Sequence, residues 1–97
     1  MTGRKAPVGH FTILYFAAAG SITQRTQEHL PAPMTMGELF GHLDETYPGM
    51  KDKVITSSAV TINLDYVDID ETGPDRGLET KIGDGDEVAI IPPVSSG

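Results

Sequence analysis

The sequence predicts an α+β fold, with one main helix packed across one face of a mixed sheet of about five strands. Three observations predict it. Two extended segments precede the helical pattern and several short ones follow it. A single helix is announced by both its cap and its apolar stripe. The last extended segment runs into a Pro-Pro pair, which neither a helix nor a central strand can continue.

The elements follow in order. His10 to Phe16 (HFTILYF) is rich in β-branched and aromatic residues and reads as the first strand. Phe11, Ile13 and Tyr15 alternate with Leu14 and Phe16, so both faces are apolar and the strand is expected near the centre of the sheet. Ala17-Ala18-Ala19-Gly20-Ser21 is expected to end it. A weaker strand around Thr23 to His29 is expected to return as a hairpin. Pro31-Ala32-Pro33 breaks the chain. Thr35 and Glu38 then have capping-box spacing. Met36, Leu39, Phe40, Leu43 and Tyr47 recur at helical spacing on one face, until Pro48-Gly49 stops the helix. This Met and aromatic stripe reads as core packing. Met50 to Ile55 adds a short helical turn. Ala59 to Asn63 reads as a strand, Asn63-Leu64-Asp65 as its turn, and Tyr66 to Ile69 as the return. Glu71 to Gly77 is a polar loop, and Leu78 to Ile82 is short and extended. Gly83-Asp84-Gly85-Asp86 is a tight turn before the closing strand Glu87-Val88-Ala89-Ile90-Ile91.

Composition narrows the function. Ninety-seven residues, 38% of them hydrophobic, suit one domain with a modest core. With no cysteine there is no disulfide framework, thiolate metal site or cysteine nucleophile. No apolar run reaches the ~18 residues of a membrane span, and the polar N-terminus lacks a signal-peptide pattern, so a cytosolic location is expected. The net charge is −7, and nine carboxylates lie between Asp65 and Glu87 against Arg76 and Lys81. Such a surface repels nucleic acid and anionic membranes and suits a partner with a basic face. Asp86 is expected to contribute to that acidic dock.

Catalytic signals are sparse. His10, His29 and His42 lack metal-ligand spacing, and no metal is expected. No serine sits in a nucleophile elbow. Gly83-Asp84-Gly85 is not a phosphate loop, since no lysine or helix follows. Asp68, Asp70, Thr72 and Glu79 have the spacing of a calcium loop, but the flanks are not helical and Pro74 follows Gly73, so an acidic hairpin loop is expected.

The C-terminal segment Pro92-Pro93-Val94-Ser95-Ser96-Gly97 carries the strongest signal. The prolines hold the base of the segment extended. Six residues reach roughly 20 Å, enough to enter a partner's pocket. Glycine has no Cβ, so Gly97 can bring its carboxylate close to a narrow site.

Leu14-Tyr15-Phe16-Ala17, Tyr47-Pro48-Gly49, Asn63 with Tyr66-Val67, and above all Gly83 to Val94 running into the tail resemble the small subunit of molybdopterin synthase. That family has a ubiquitin-like β-grasp fold. The resemblance covers roughly residues 10 to 97 and implies a lead at 1–9, a β-grasp domain at 10–91 and a functional tail at 92–97. One departure is Ser96, where the family has a glycine. Its Cβ and hydroxyl would occupy space where a partner's tunnel is tight.

The resemblance implies that an activating enzyme, related to those that activate ubiquitin, consumes ATP to adenylate Gly97. Sulfur then replaces the adenylate, and the thiocarboxylate so formed donates it to a cyclic pyranopterin monophosphate, building a dithiolene in two transfers. It implies no permanently bound cofactor. The chain would act as one subunit of a sulfurtransferase, in a heterotetramer of two small and two large subunits. Pro92, Pro93, Val94, Ser95 and Ser96 would position Gly97, and the apolar outer faces of the first and last strands would dock the large subunit. Two alternatives stay open: a ubiquitin-related modifier or sulfur carrier for tRNA thiolation or protein conjugation, and a β-grasp domain that only binds.

Overall fold

The computed structural model describes residues 6–67 and 77–93. Its framework is a five-stranded sheet in the order β2-β1-β7-β4-β5. The strands are β1 (His10–Tyr15), β2 (Gln27–Pro31), β4 (Ala59–Ile62), β5 (Asp65–Tyr66) and β7 (Glu87–Ile91). β7 runs parallel to β1 and antiparallel to β4, so the sheet is mixed. Two further short strands, β3 (Met34–Thr35) and β6 (Lys81–Ile82), pair antiparallel with each other.

The register explains the alternation in β1. Ile13 pairs with Val88 and Tyr15 with Ile90, and together with Phe11 these residues face the core. Against them packs helix α2 (Met36–Thr46). Met36, Leu39, Phe40 and Leu43, the stripe expected from the sequence, are all buried in one cluster with them. Tyr47 packs at its edge.

The start of α2 is held from two sides. A helix leaves its first four N–H groups without partners inside the helix. Glu38 N donates to Thr35 Oγ1 at 3.1 Å, and Thr35 N donates to Glu38 Oε1 at 2.8 Å, the reciprocal capping box. Met36 N and Gly37 N donate to Thr80 O and Leu78 O at 2.8 and 2.9 Å. The segment just before β6 therefore satisfies helix donors. Gly37 permits the approach, since a Cβ there would stand 3.3 Å from both Leu78 Cβ and Leu78 O. After α2, helix α3 (Met50–Lys53) and a 3-10 turn (Ile55–Ser57) bury Met50, Val54 and Ile55.

Four local expectations are corrected. Ala17 to Ser21 does not merely end the first strand: Ala18–Thr23 forms helix α1. Alanine is the best helix former, and Thr23 Oγ1 donates to Ala19 O at 2.9 Å to close the turn. The returning strand consequently begins at Gln27 and runs to Pro31. Of the segment from Leu78 to Ile82, only Lys81 and Ile82 are strand, because residues 77–79 form a turn against the start of α2. The return strand spans Asp65–Tyr66, so Asp65, expected in the turn, already pairs with Ile62, and Val67 lies past the strand, its N–H donating to Val60 O at 2.8 Å; Asp68 and Ile69 lie outside the described residues. The residues of the acidic, calcium-like loop between 68 and 76 lie outside the described residues.

The arrangement, a helix cradled by a mixed sheet whose first and last strands lie parallel at its centre, is the β-grasp fold.

Candidate functional site

The site is built on the end of β7. This strand is flanked on both sides, by β1 and by β4, so the base of the tail is held by two ladders. At its exit Phe16 N donates to Ile90 O at 3.2 Å, and Ala59 pairs with Ile91. Pro92 has no N–H to extend a ladder. Pro92 is buried and Pro93 is exposed, so the chain reaches the surface at Pro93. Val94, Ser95, Ser96 and Gly97, predicted to position and carry the reacting carboxylate, lie outside the described residues.

The turn that launches β7 is pinned at the other end. Asp86 N donates to Gly83 O at 3.1 Å, and Gly83 N to Asp86 Oδ2 at 2.7 Å. Gly85 has φ 83°, a conformation that favours glycine. Asp86 Oδ1 accepts from Asn63 Nδ2 at 3.0 Å, and Glu87 N donates to Asn63 Oδ1 at 3.0 Å. Asp86, expected as part of an acidic dock, thus has both carboxylate oxygens committed to the turn.

The sheet face away from α2 carries an apolar groove. A row of register partners crosses it: Leu14, Ala89, Thr61 and Tyr66. Phe16 and Ile91 line it at the tail exit, and Leu64 and Glu87 at the far end. Phe16 is 46% exposed, Tyr66 77% and Leu64 83%. Large exposed apolar side chains gathered in one patch mark an interaction surface. The outer faces of β1 and β7, expected from the sequence to be apolar, do form its centre. Tyr66 and Leu64 join it as well, beyond the two strands expected from the sequence. The signal was alternation in β4 and β5, which places Tyr66 opposite Thr61 on this face.

Elsewhere one cluster of polar groups serves the fold. Tyr15 and Tyr47 donate their hydroxyls to the same oxygen, Glu28 Oε1, at 2.8 and 3.1 Å, with their rings edge to face at 6.4 Å. Burial first, then the bond to Glu28 and its charge, push the Tyr15 phenol well above the usual tyrosine range. Tyr47 is raised by burial and by the Glu28 charge, with Arg25 opposing. Of the three histidines, His10 is on β1 with its Nδ1 3.2 Å from Val8 O, His29 is on β2 opposite Thr12, and His42 is on α2. Among the described residues no three His, Cys, Asp or Glu side chains cluster as a metal site. No helix among them is long and apolar enough to cross a membrane.

Comparison with known proteins agrees with this geometry. Residues 13–97 match the ThiS family. A molybdopterin synthase sulfur carrier subunit of Phaeosphaeria nodorum is 59% identical over 97 residues, the whole of both chains. The solution structure of small archaeal modifier protein 1 from Methanosarcina acetivorans superposes with a TM-score of 0.70 at 24% identity, covering 98% of this chain and 100% of that one, a likeness of fold. A complex of subunits 1 and 2 of molybdopterin-converting factor from Helicobacter pylori contains a chain 26% identical, with a TM-score of 0.58 and coverage of 89% and 96%. With a family match spanning both the sheet and the tail, and so similar a relative along the whole length, the chain belongs to the ThiS family.

Proposed function

We propose that this chain is the sulfur carrier subunit of molybdopterin synthase, with Gly97 as the carrier residue. The observation that carries the reading is the placement of the tail base. Pro92-Pro93 leaves a strand locked on both sides, at one end of an apolar groove. The identity to named sulfur carrier subunits supports it.

The chemistry asks little of the carrier beyond presentation. A carboxylate is a poor acyl donor. A ubiquitin-activating-enzyme-like adenylyltransferase would join the Gly97 carboxylate to the α-phosphate of ATP and release pyrophosphate. Sulfide released by a donor would then attack the acyl carbon, forming the C–S bond as the C–O bond to AMP breaks, to give the thiocarboxylate. In the large subunit, that sulfur would form a C–S bond at a carbon of the cyclic pyranopterin monophosphate as a C–O bond there breaks, and hydrolysis of the resulting thioester would leave the sulfur on the pterin and return the Gly97 carboxylate. Two such transfers build the dithiolene. Pro92 and Pro93 would set the direction of entry, and Val94, Ser95 and Ser96 would link them to the reacting Gly97. The assembly would hold two small and two large subunits in the cytosol.

Reconstitution tests this reading. The chain, the activating enzyme, ATP, a sulfur donor, the cognate large subunit and the precursor should together yield dithiolene product. Deleting Gly97 should abolish product while the far-UV circular dichroism is unchanged. Product formed without Gly97 would overturn the mechanism. Ser96→Gly, run alongside, measures what the serine costs in rate.

A further inference from the structure

Leu64 occupies a position that neither burial nor turn geometry accounts for. Ile62 pairs with Asp65, so Asn63 and Leu64 form a two-residue hairpin turn. Both have positive φ, 52° and 73°. Turns of this kind favour asparagine first and glycine second, since a Cβ at the second position is strained. Here a leucine stands in the glycine position, and it is 83% exposed, so it gains almost nothing from the core.

The turn is fixed in place all the same. Asn63 N donates to Glu87 O at 2.7 Å, and the Asn63 side chain bonds both Glu87 N and Asp86. Leu64 is therefore held at the rim of the apolar groove before any partner arrives. A backbone fixed in advance loses less entropy on binding. Strained backbone at an exposed site is a recurring mark of function.

The groove connects Leu64 to the tail. Phe16 and Ile91 lie where the tail leaves, and Leu64 lies beside the start of β7. A five-residue strand separates the two ends by about 13 Å. Any protein that swallows the tail must approach this exit, and the groove extends directly from it. Among the described residues Glu87 is the one charged side chain lining the groove, so the surface that matches this lining is apolar rather than basic.

We propose that Leu64 is a partner-anchoring residue that inserts into an apolar pocket of the molybdopterin synthase large subunit. Tail insertion and Leu64 are two fixed points at opposite ends of β7, and together they set the angle at which the tail enters. The inference rests on the function proposed above.

Leu64→Gly and Leu64→Asn test it, because both residues accept positive φ. For each variant the thermal midpoint of the isolated chain and the Kd for the cognate large subunit are measured, the latter by calorimetry. The expected result is an unchanged or higher midpoint with binding weaker by about tenfold or more. Stability and affinity moving in opposite directions is a signature that a structural residue does not give. Binding within about twofold of the parent chain in both variants would overturn the proposal. So would a lowered midpoint in both, which would assign Leu64 to the fold. If the parent chain itself does not bind the large subunit, the functional reading falls, and this inference with it.

Discussion

Asn63 and Asp86 meet at 3.0 Å, the Asn63 amide donating to Asp86 Oδ1. The contact joins the β4–β5 turn to the turn before β7, and the other Asp86 oxygen caps Gly83 N at 2.7 Å. Asp86→Ala should therefore destabilise the chain by about 1–3 kcal/mol, the net worth of hydrogen bonds to a charged group. Urea unfolding at low and high salt checks this. A fold role predicts nearly the same loss at both salts, whereas an electrostatic dock predicts full stability and a salt-dependent loss of binding.

Leu39 has no solvent exposure and packs in the cluster between α2 and the sheet. Leu39→Ala should cost about 2–5 kcal/mol. A loss well under 1 kcal/mol in denaturant titration would contradict the packing of α2 on the sheet.

Tyr15 gives the stability an alkaline limit. Its phenol pKa is raised in the folded chain above the ordinary value of 10.0. The unfolded chain releases that proton first, so the contribution is complete below pH about 10 and is lost as pH rises further. Stability should fall above pH 10 by about 1.4 kcal/mol per pH unit from this group. In Tyr15→Phe that slope should be shallower, at the expense of a lower plateau at neutral pH. An identical alkaline slope in the variant would remove Tyr15 as its source.

Phe16 is half exposed at the mouth of the groove, beside the tail exit. Phe16→Asp should leave the thermal midpoint within a few degrees of the parent, since little core is lost. It should weaken large-subunit binding by about 2 kcal/mol or more if this end of the groove is an energetic centre. Unchanged affinity would place the interface elsewhere.

Much of this was legible in the sequence because the signals were local. Thr35 and Glu38 declare α2 within four residues, and Gly83 to Asp86 declare the turn before β7. The terminal Pro-Pro marks the end of the ladder. What was not legible depends on distant partners. α1 is six residues long, with no side-chain cap at its start, and buries only Ala19 and Thr23; a helix so short draws its stability from packing that no local pattern reveals. β3 is two residues long, and its partner β6, whose segment was read as extended, lies far along the chain, so their pairing left no local signal. Asp86 was one carboxylate among many, and charge counting cannot separate a turn anchor from a solvated face. Tyr66 was legible as part of a hairpin, but its face became clear only from the register with Thr61.

The central claim is that Gly97 carries sulfur, and intact-protein mass spectrometry tests it most directly. The chain is incubated with the activating enzyme, ATP and a sulfur donor, beside a family member with a Gly-Gly tail. The account predicts a mass gain equal to exchange of one oxygen for sulfur, localised by fragmentation to Gly97. An unchanged mass, with the Gly-Gly chain fully converted in the same mixture, would contradict it.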